Sequence, residues 1–390
     1  MAKKKGFGKF FLSLLGFLIG GVAGFGVLTY VTLPNTDTVN VSEEVYYSFE
    51  NEEHLETISV EEADVSVHFL ELGNKYTGDC TYIKTKEADI LIDCGSKSNS
   101  ISTVTNYLNQ YVTDGILEYV IVTHAHQDHY AGFATSAKIA SIFDLYECQT
   151  IIDFAQTNQK ATATTYQNYQ RELADEINKG ATHYTALDCI NQTNGAQREF
   201  FLGEGITLEI LDSYYYTNKA STENDYSVCC LVTHDLGEDG ERNFLFTGDL
   251  EEDGEYWLTQ LNELPKVDLY KAGHHGSKTS SSQTLMKIIE PKTICVCCCA
   301  GSSEYKANPE NTFPSQLFID NVAPHTDEIY VTTLCVDYSA DKFESFNGNI
   351  VYLSNFEGYS VECSNNKTKL KDSQWFKANR QLPDVWKLTV

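Results

Sequence analysis

Hydrophobic and polar positions divide this chain into three regimes. An uncharged apolar run covers Phe10–Leu33, and an acid-rich stretch follows over residues 34–63. Beyond it, short apolar segments alternate with polar turns. Val65-Ser66-Val67-His68-Phe69-Leu70 repeats with period two, the pattern of a strand with two distinct faces. Comparable runs predict strands at Cys80–Lys84, Ile90–Asp93 and Tyr119–Thr123. A second strand-rich half is predicted at Leu208–Leu211, Val228–Thr233, Phe244–Thr247, Val267–Lys271, Thr293–Cys299, Ile329–Thr332 and Ile350–Leu353. Helical spacing marks Ser102–Tyr111, Tyr166–Asn178 and Gln283–Ile289, with Ser280 or Ser281 expected to cap the last. Phe143 to Gln197 reads as an insertion that shapes a cleft. Two strand-rich halves with helices between them fit an α/β (α+β) chain.

Phe10–Leu33 is long enough, at ~1.5 Å per residue, to cross a bilayer as a helix. Lys3, Lys4, Lys5 and Lys9 precede it, so the positive-inside rule puts the N-terminus in the cytoplasm and the rest outside. A cleaved leader would have a shorter apolar core ending at an Ala-x-Ala-like site, and none is present. The expectation is therefore a single-pass membrane protein. Gly16, Gly20 and Gly24 share one face of the anchor, a spacing that permits contact between copies in a homo-oligomer. The expected organisation is a basic tail (1–9), an anchor (10–33), an acidic spacer (34–63), a folded body (64–365) and a C-terminal extension (366–390).

Composition adds constraints. A chain of 390 residues, 42% hydrophobic, with 24 Tyr and 20 Phe, has the material for an ordered core. Its net charge of −27, from 55 acidic against 28 basic residues, excludes a broad basic groove for nucleic acid. Phosphate chemistry would rest on metal ions and a few local cations. Of the 12 cysteines, Cys295 and Cys298 have C-x-x-C spacing, but on a strand they point to opposite faces. Cys295, Cys297, Cys298 and Cys299 are read as small buried hydrophobes.

The chemistry is concentrated at strand ends. After Tyr119-Val120-Ile121-Val122 comes Thr123-His124-Ala125-His126-Gln127-Asp128-His129, with four potential metal ligands in six positions. Asn243-Phe244-Leu245-Phe246-Thr247-Gly248-Asp249 puts a carboxylate at another strand tip, and Gly273-His274-His275-Gly276-Ser277-Lys278 follows a third strand. Imidazoles and carboxylates at this density suit divalent ions such as zinc, or manganese where carboxylate dominates.

These motifs resemble the metallo-β-lactamase superfamily of binuclear metallohydrolases, which implies a four-layer αββα sandwich. Phe69-Leu70-Glu71-Leu72-Gly73, Gly78-Asp79-Cys80, Ile90-Leu91-Ile92-Asp93-Cys94-Gly95, Asn224-Asp225-Tyr226-Ser227 and the His-His-Gly-Ser element are similar to the hydrolase domain of bacterial competence DNA-uptake proteins. That resemblance covers about residues 65–355. The multi-helix channel of those proteins has no counterpart here, so DNA import by this chain alone is not expected.

The resemblance implies two divalent metals, Zn or Mn. His124 and His126 would hold the first, Asp128, His129 and His274 the second, and Asp249 would bridge them. The superfamily's usual histidine shortly before the Gly-Asp strand is missing; Asn224 and Ser227 stand there, and neither His183 nor His234 is well placed to substitute. Asp128, Asp249 and His275 are the expected catalytic groups, with the roles of His274 and His275 open to exchange. Asn224, Ser227, Ser277 and Lys278 are the expected substrate contacts. The leading expectation is an outward-facing phosphodiesterase or nuclease using a metal-bound hydroxide, with a phosphoester, DNA among the candidates, as its partner. Alternatives are a wall-polymer or lipid phosphoester, thioester or lactam substrate, and a non-enzymatic, metal-stabilised assembly protein.

Overall fold

A computed structural model describes residues 58–134, 139–305, 308 and 311–387. The expected tail, the anchor and most of the spacer lie outside them. Among the described residues, no helix is long and apolar enough to cross a membrane.

The chain lays down one sheet, then a second, and finally returns to the first. β1 (Val65–Phe69), β2 (Thr81–Thr85), β3 (Asp89–Ile92), β4 (Ile116–Ile121), β5 (Glu147–Asp153) and β6 (Thr182–Thr185) build the first. β7 (Glu199–Gly203), β8 (Ile206–Ile210), β9 (Cys230–Asp235) and β10 (Glu241–Phe246) open the second. β11 (Leu269–Lys271), β12 (Thr293–Ala300), β13 (Ile329–Asp337) and β14 (Lys342–Ser345) complete it. β15 (Ile350–Asn355) and β16 (Gly358–Cys363) then pair beside β1. Among the described residues, each sheet has eight strands, ordered β16-β15-β1-β2-β3-β4-β5-β6 and β14-β13-β12-β11-β10-β9-β8-β7.

The period-two pattern decides what each face meets. Val65, Val67 and Phe69 of β1 enter the core between the sheets, where the Phe69 and Phe246 rings lie 6.5 Å apart. Ser66 and His68 face outward beneath the helix Ile101–Leu108. There His68 Nδ1 is 2.7 Å from the Tyr107 hydroxyl and Nε2 is 2.8 Å from Ser66 Oγ. Burial pushes the His68 pKa down to about 3, so this imidazole is a neutral structural bridge. The helix Thr164–Lys179 covers the same sheet and ties Tyr169 to Asp153 at 2.9 Å. On the outer face of the second sheet, Ile294, Val296 and Cys298 pack with Leu285, Met286 and Phe318 from the helices Gln283–Ile289 and Gln316–Val322. Cys295 and Cys297 face the opposite way, into the inter-sheet core.

The region read as an insertion contributes β5 and β6, which extend the first sheet in parallel beyond β4. The cap of Gln283–Ile289 is Ser282, whose Oγ accepts from Leu285 N, and not Ser280 or Ser281. Ser280 instead donates to the Leu250 carbonyl, and Ser281 takes a left-handed backbone conformation. Ile58 and Ala63 pack on Leu353, while Leu370, Phe376 and Trp386 join the outer core of the second sheet.

Candidate metal centre

The topology gathers the polar strand ends. β3 and β4 run parallel, as do β10 and β11, so Asp93, the His124–His129 loop, Asp249 and the His274–His275 turn all follow strand C-termini. Such edges collect ligands in open α/β sheets. The two halves are stitched directly, because Val228 N donates to the Thr123 carbonyl at 2.9 Å. Within the second half, Asp249 N donates to Ser227 Oγ at 3.1 Å.

Two glycines make the approach possible. A Cβ on Gly95 would lie 1.9 Å from the Asp128 carbonyl oxygen, so any side chain there displaces the ligand loop. Gly276, at φ +77°, follows His274 and His275, themselves at φ +45° and +55°. Two consecutive non-glycine residues in the left-handed region are uncommon and costly, and here they turn the two rings apart.

His275 is buried and His274 lies at the rim. His275 Nδ1 is 2.9 Å from the Cys297 carbonyl and 3.2 Å from Asp79 Oδ1. Its Nε2 is 3.2 Å from Asp249 Oδ2 and 3.5 Å from Asp128 Oδ2. His274 Nε2 is 3.9 Å from the same Asp249 oxygen, and its Nδ1 meets Thr279 Oγ1 at 3.1 Å and Glu251 Oε1 at 3.3 Å.

His129 is oriented from behind. Its Nδ1 is 2.7 Å from Asp93 Oδ2, and Asp93 also accepts from Thr123 N and Oγ1, each at 2.7 Å. Its Nε2 is 3.0 Å from Asp249 Oδ2. His124 is fully buried, with Nε2 at 3.1 Å from His126 Nδ1 and Nδ1 at 3.4 Å from Ser227 Oγ. Asp128 accepts from the Tyr305 hydroxyl at 2.6 Å.

The charges follow from this crowding. Burial opposes charge on His129 and His275, but Asp249 with Asp93, and Asp249 with Asp79, hold both imidazoles protonated well above their ordinary range when no cation is bound. Burial also opposes charge on Asp128 and Asp249, yet the neighbouring histidines keep both far below the usual carboxylate range. Burial, then His129 and His126, keep His124 neutral.

Lys271 is a buried cation in the same cluster. Its ammonium pairs with Asp79, lies 3.8 Å from Asp249 and donates to the Gly248 carbonyl at 3.0 Å. Burial disfavours its charge, but Asp79 and Asp249 raise its pKa above the ordinary lysine value.

The donor set fits a divalent ion. His129 Nε2, His275 Nε2 and Asp249 Oδ1 are buried without a hydrogen-bond partner, although both nitrogens lie close to Asp249 Oδ2. Ligand-type atoms of Asp79, His129, Asp249 and His275 all fall within 4.8 Å of one another. Asp79 is already compensated by Lys271, which leaves Asp128 the better anionic donor beside the two histidines. A carboxylate or carbonyl that accepts Nδ1–H from a neutral imidazole is the usual support for a histidine that binds a metal through Nε2.

The expected substrate contacts spread around the rim. Asn224 Nδ2 donates to Glu251 Oε1 at 3.0 Å, Ser227 serves Asp249, and Ser277 Oγ lies 3.1 Å from Thr279 Oγ1. Lys278 turns outward to Asn311 at 2.8 Å. His183 pairs with Asp153 and His234 with Ser354, away from the cluster. Sequence patterns gave no role to Asp79, Asp93, Lys271, Glu223, Glu251 or Tyr305. For Asp79, Asp93 and Lys271 the available signal was a charge at or next to the end of an apolar strand. Glu223 ties the His124–His129 loop to the segment after β5: it accepts from Ala125 N at 3.2 Å, Thr157 Oγ1 at 2.8 Å and Asn158 N at 2.5 Å.

The sequence profile of the metallo-beta-lactamase superfamily matches residues 73–205. "Recombination protein 2" of Haemophilus influenzae is 27% identical over 216 residues, which cover 55% of this chain and 22% of that protein. "ComE operon protein 3" of Bacillus subtilis is 37% identical over 59 residues, 15% of this chain and 8% of that protein. The chain thus spans under a quarter of the length of either relative. The metallo-beta-lactamase fold protein YhfI of Bacillus subtilis superposes with a TM-score of 0.38 at 13% identity, covering 69% of this chain and 96% of its own. Residues 73–205 thus match the metallo-beta-lactamase superfamily, and parts of the chain are homologous to the two proteins named above.

Proposed function

We propose that this protein is a phosphodiesterase that uses two divalent metal ions, Zn or Mn, and that Phe10–Leu33 anchors it with the hydrolase domain outside the cell. The observation that carries the catalytic part is the pair of buried Nε2 atoms of His129 and His275, which make no well-aligned hydrogen bond yet converge on Asp249 and Asp128. Asp128, His129 and His275 would hold one ion, His124 and His126 the other, with Asp249 shared. His275 takes the ligand role here because it, and not His274, is buried against both carboxylates. Bound ions supply an acidified water and stabilise charge developing on the substrate.

The remaining work falls to the chain's own groups. Asp93 and the Cys297 carbonyl fix the His129 and His275 rings, and Lys271 offsets the excess of buried carboxylates. His274, at the rim and supported by Glu251 and Thr279, is free to hydrogen-bond a substrate oxygen. Preference for a phosphodiester, including DNA, is supported by likeness to the two relatives named above. The net charge of −27 favours a second reading, a wall-polymer or lipid phosphoester, because long DNA would be repelled away from the site.

The test is a panel of bis-(nitrophenyl) phosphate, lactam and thioester substrates, with Mn²⁺ or Zn²⁺ and with chelator. Metal-dependent phosphodiester cleavage is expected. Lactam or thioester cleavage without it would overturn the phosphodiesterase assignment. For the anchor, protease added to intact cells should remove the body, and its protection would contradict the outward topology.

A further inference from the structure

The open side of the donor cluster is marked by Tyr305. Asp249, His129 and His275 are at most 2% exposed in their side chains, whereas Tyr305 is 50% exposed. Yet the Tyr305 hydroxyl reaches inward to Asp128 Oδ2 at 2.6 Å, and that oxygen is 3.5 Å from His275 Nε2. The residue therefore has one end in solvent and the other among the metal-facing donors.

Its position is built from both sides. On the N-terminal side, Glu304 accepts from Thr77 N at 2.9 Å, lies 3.5 Å from Lys97 Nζ and donates its own N–H to Ser302 Oγ at 3.3 Å. The Tyr305 ring rests 5.9 Å from the Phe313 ring, and Phe313 lies 5.6 Å from His274 and 5.9 Å from His275. Gly301 N closes the segment on the Phe313 carbonyl at 2.8 Å. A phenol held by its ring can redirect its O–H about one bond without moving the ring. Donors fixed in advance beside a site of developing charge are the ones that contribute most to binding and rate.

We infer that Tyr305 is a substrate-contacting residue whose hydroxyl donates to a phosphate oxygen at the metal centre. This rests on the hydrolase function proposed above. It also supplies the phosphate donor that Lys278, turned to Asn311, does not.

Inorganic phosphate titrated calorimetrically into the manganese-loaded protein tests the contact, with metal content measured on the same samples. Tyr305→Phe keeps the ring packing and removes only the hydroxyl. The dissociation constant for phosphate should rise about two- to tenfold, as expected for one neutral hydrogen bond, with metal content unchanged. Unchanged phosphate affinity at full metal content would overturn the inference. So would loss of metal from the variant, which would show that the hydroxyl serves Asp128 alone, or absence of phosphate binding by the wild type. Wild-type protein that binds phosphate through Tyr305 but cleaves no phosphodiester would overturn the function and leave this contact standing.

Discussion

Asp93, just past β3, and His129, in the short helix Gln127–Tyr130 beyond β4, meet with Asp93 Oδ2 2.7 Å from His129 Nδ1, so the carboxylate aims the far nitrogen of the ring at Asp249. Removing such an outer partner of a metal-binding histidine commonly lowers metal affinity about 10–100-fold. Asp93→Asn should do so here, measured by competition with a chromophoric chelator. Unaltered affinity would show that His129 needs no support from Asp93.

His274 and His275 should separate by metal content. His275→Ala removes a buried Nε2 close to Asp249 and Asp128 and should deplete metal. His274→Ala takes away a rim group and should retain it while slowing turnover. The reverse pattern by elemental analysis would return the ligand role to His274.

Lys271 balances Asp79 in the interior, and breaking a buried pair by removing one partner costs about 3–5 kcal/mol. Lys271→Met should lower the melting temperature of the metal-free protein sharply. Adding Asp79→Asn to that variant should recover much of the loss, because the uncompensated carboxylate is then gone. Additive losses would show that the two do not act as a pair.

Stability of the metal-free protein should depend on pH in a defined direction. His129 and His275 are raised in the fold, so their contribution is complete below the ordinary imidazole value of about 6.5. It is lost as pH rises through their folded values. Asp128 and Asp249 are lowered, so theirs is complete above about pH 4 and lost as pH falls. The metal-free melting temperature should therefore decline from pH 6 toward pH 9. Metal affinity should climb over the same interval, because ligation requires neutral imidazoles. A flat metal-free profile would contradict the buried charge arrangement.

Much of this was legible in the sequence where local pattern decides structure. The alternation in Val65–Phe69 and the apolar run before His124 specify strands, and ligand-type residues at their ends mark the edge where the site forms. Gln283–Ile289 is helical as its spacing predicts. β5 and β6 were missed because their exposure pattern is irregular: Glu147 and Gln149 are exposed, and no β6 residue is fully buried. Which of two adjacent histidines turns inward depends on left-handed backbone angles that sequence periodicity does not encode. Asp93 with His129, Lys271 with Asp79 and Tyr305 with Asp128 are paired only by tertiary folding, the last across 177 residues.

The central claim is a metal centre bridged by Asp249, and elemental analysis of the purified, metal-replete protein beside Asp249→Ala tests it most directly. Two equivalents of divalent metal in the wild type, with both lowered together in the variant, are the predicted result. Wild-type protein without stoichiometric divalent metal, or a variant that keeps its full content, would contradict it.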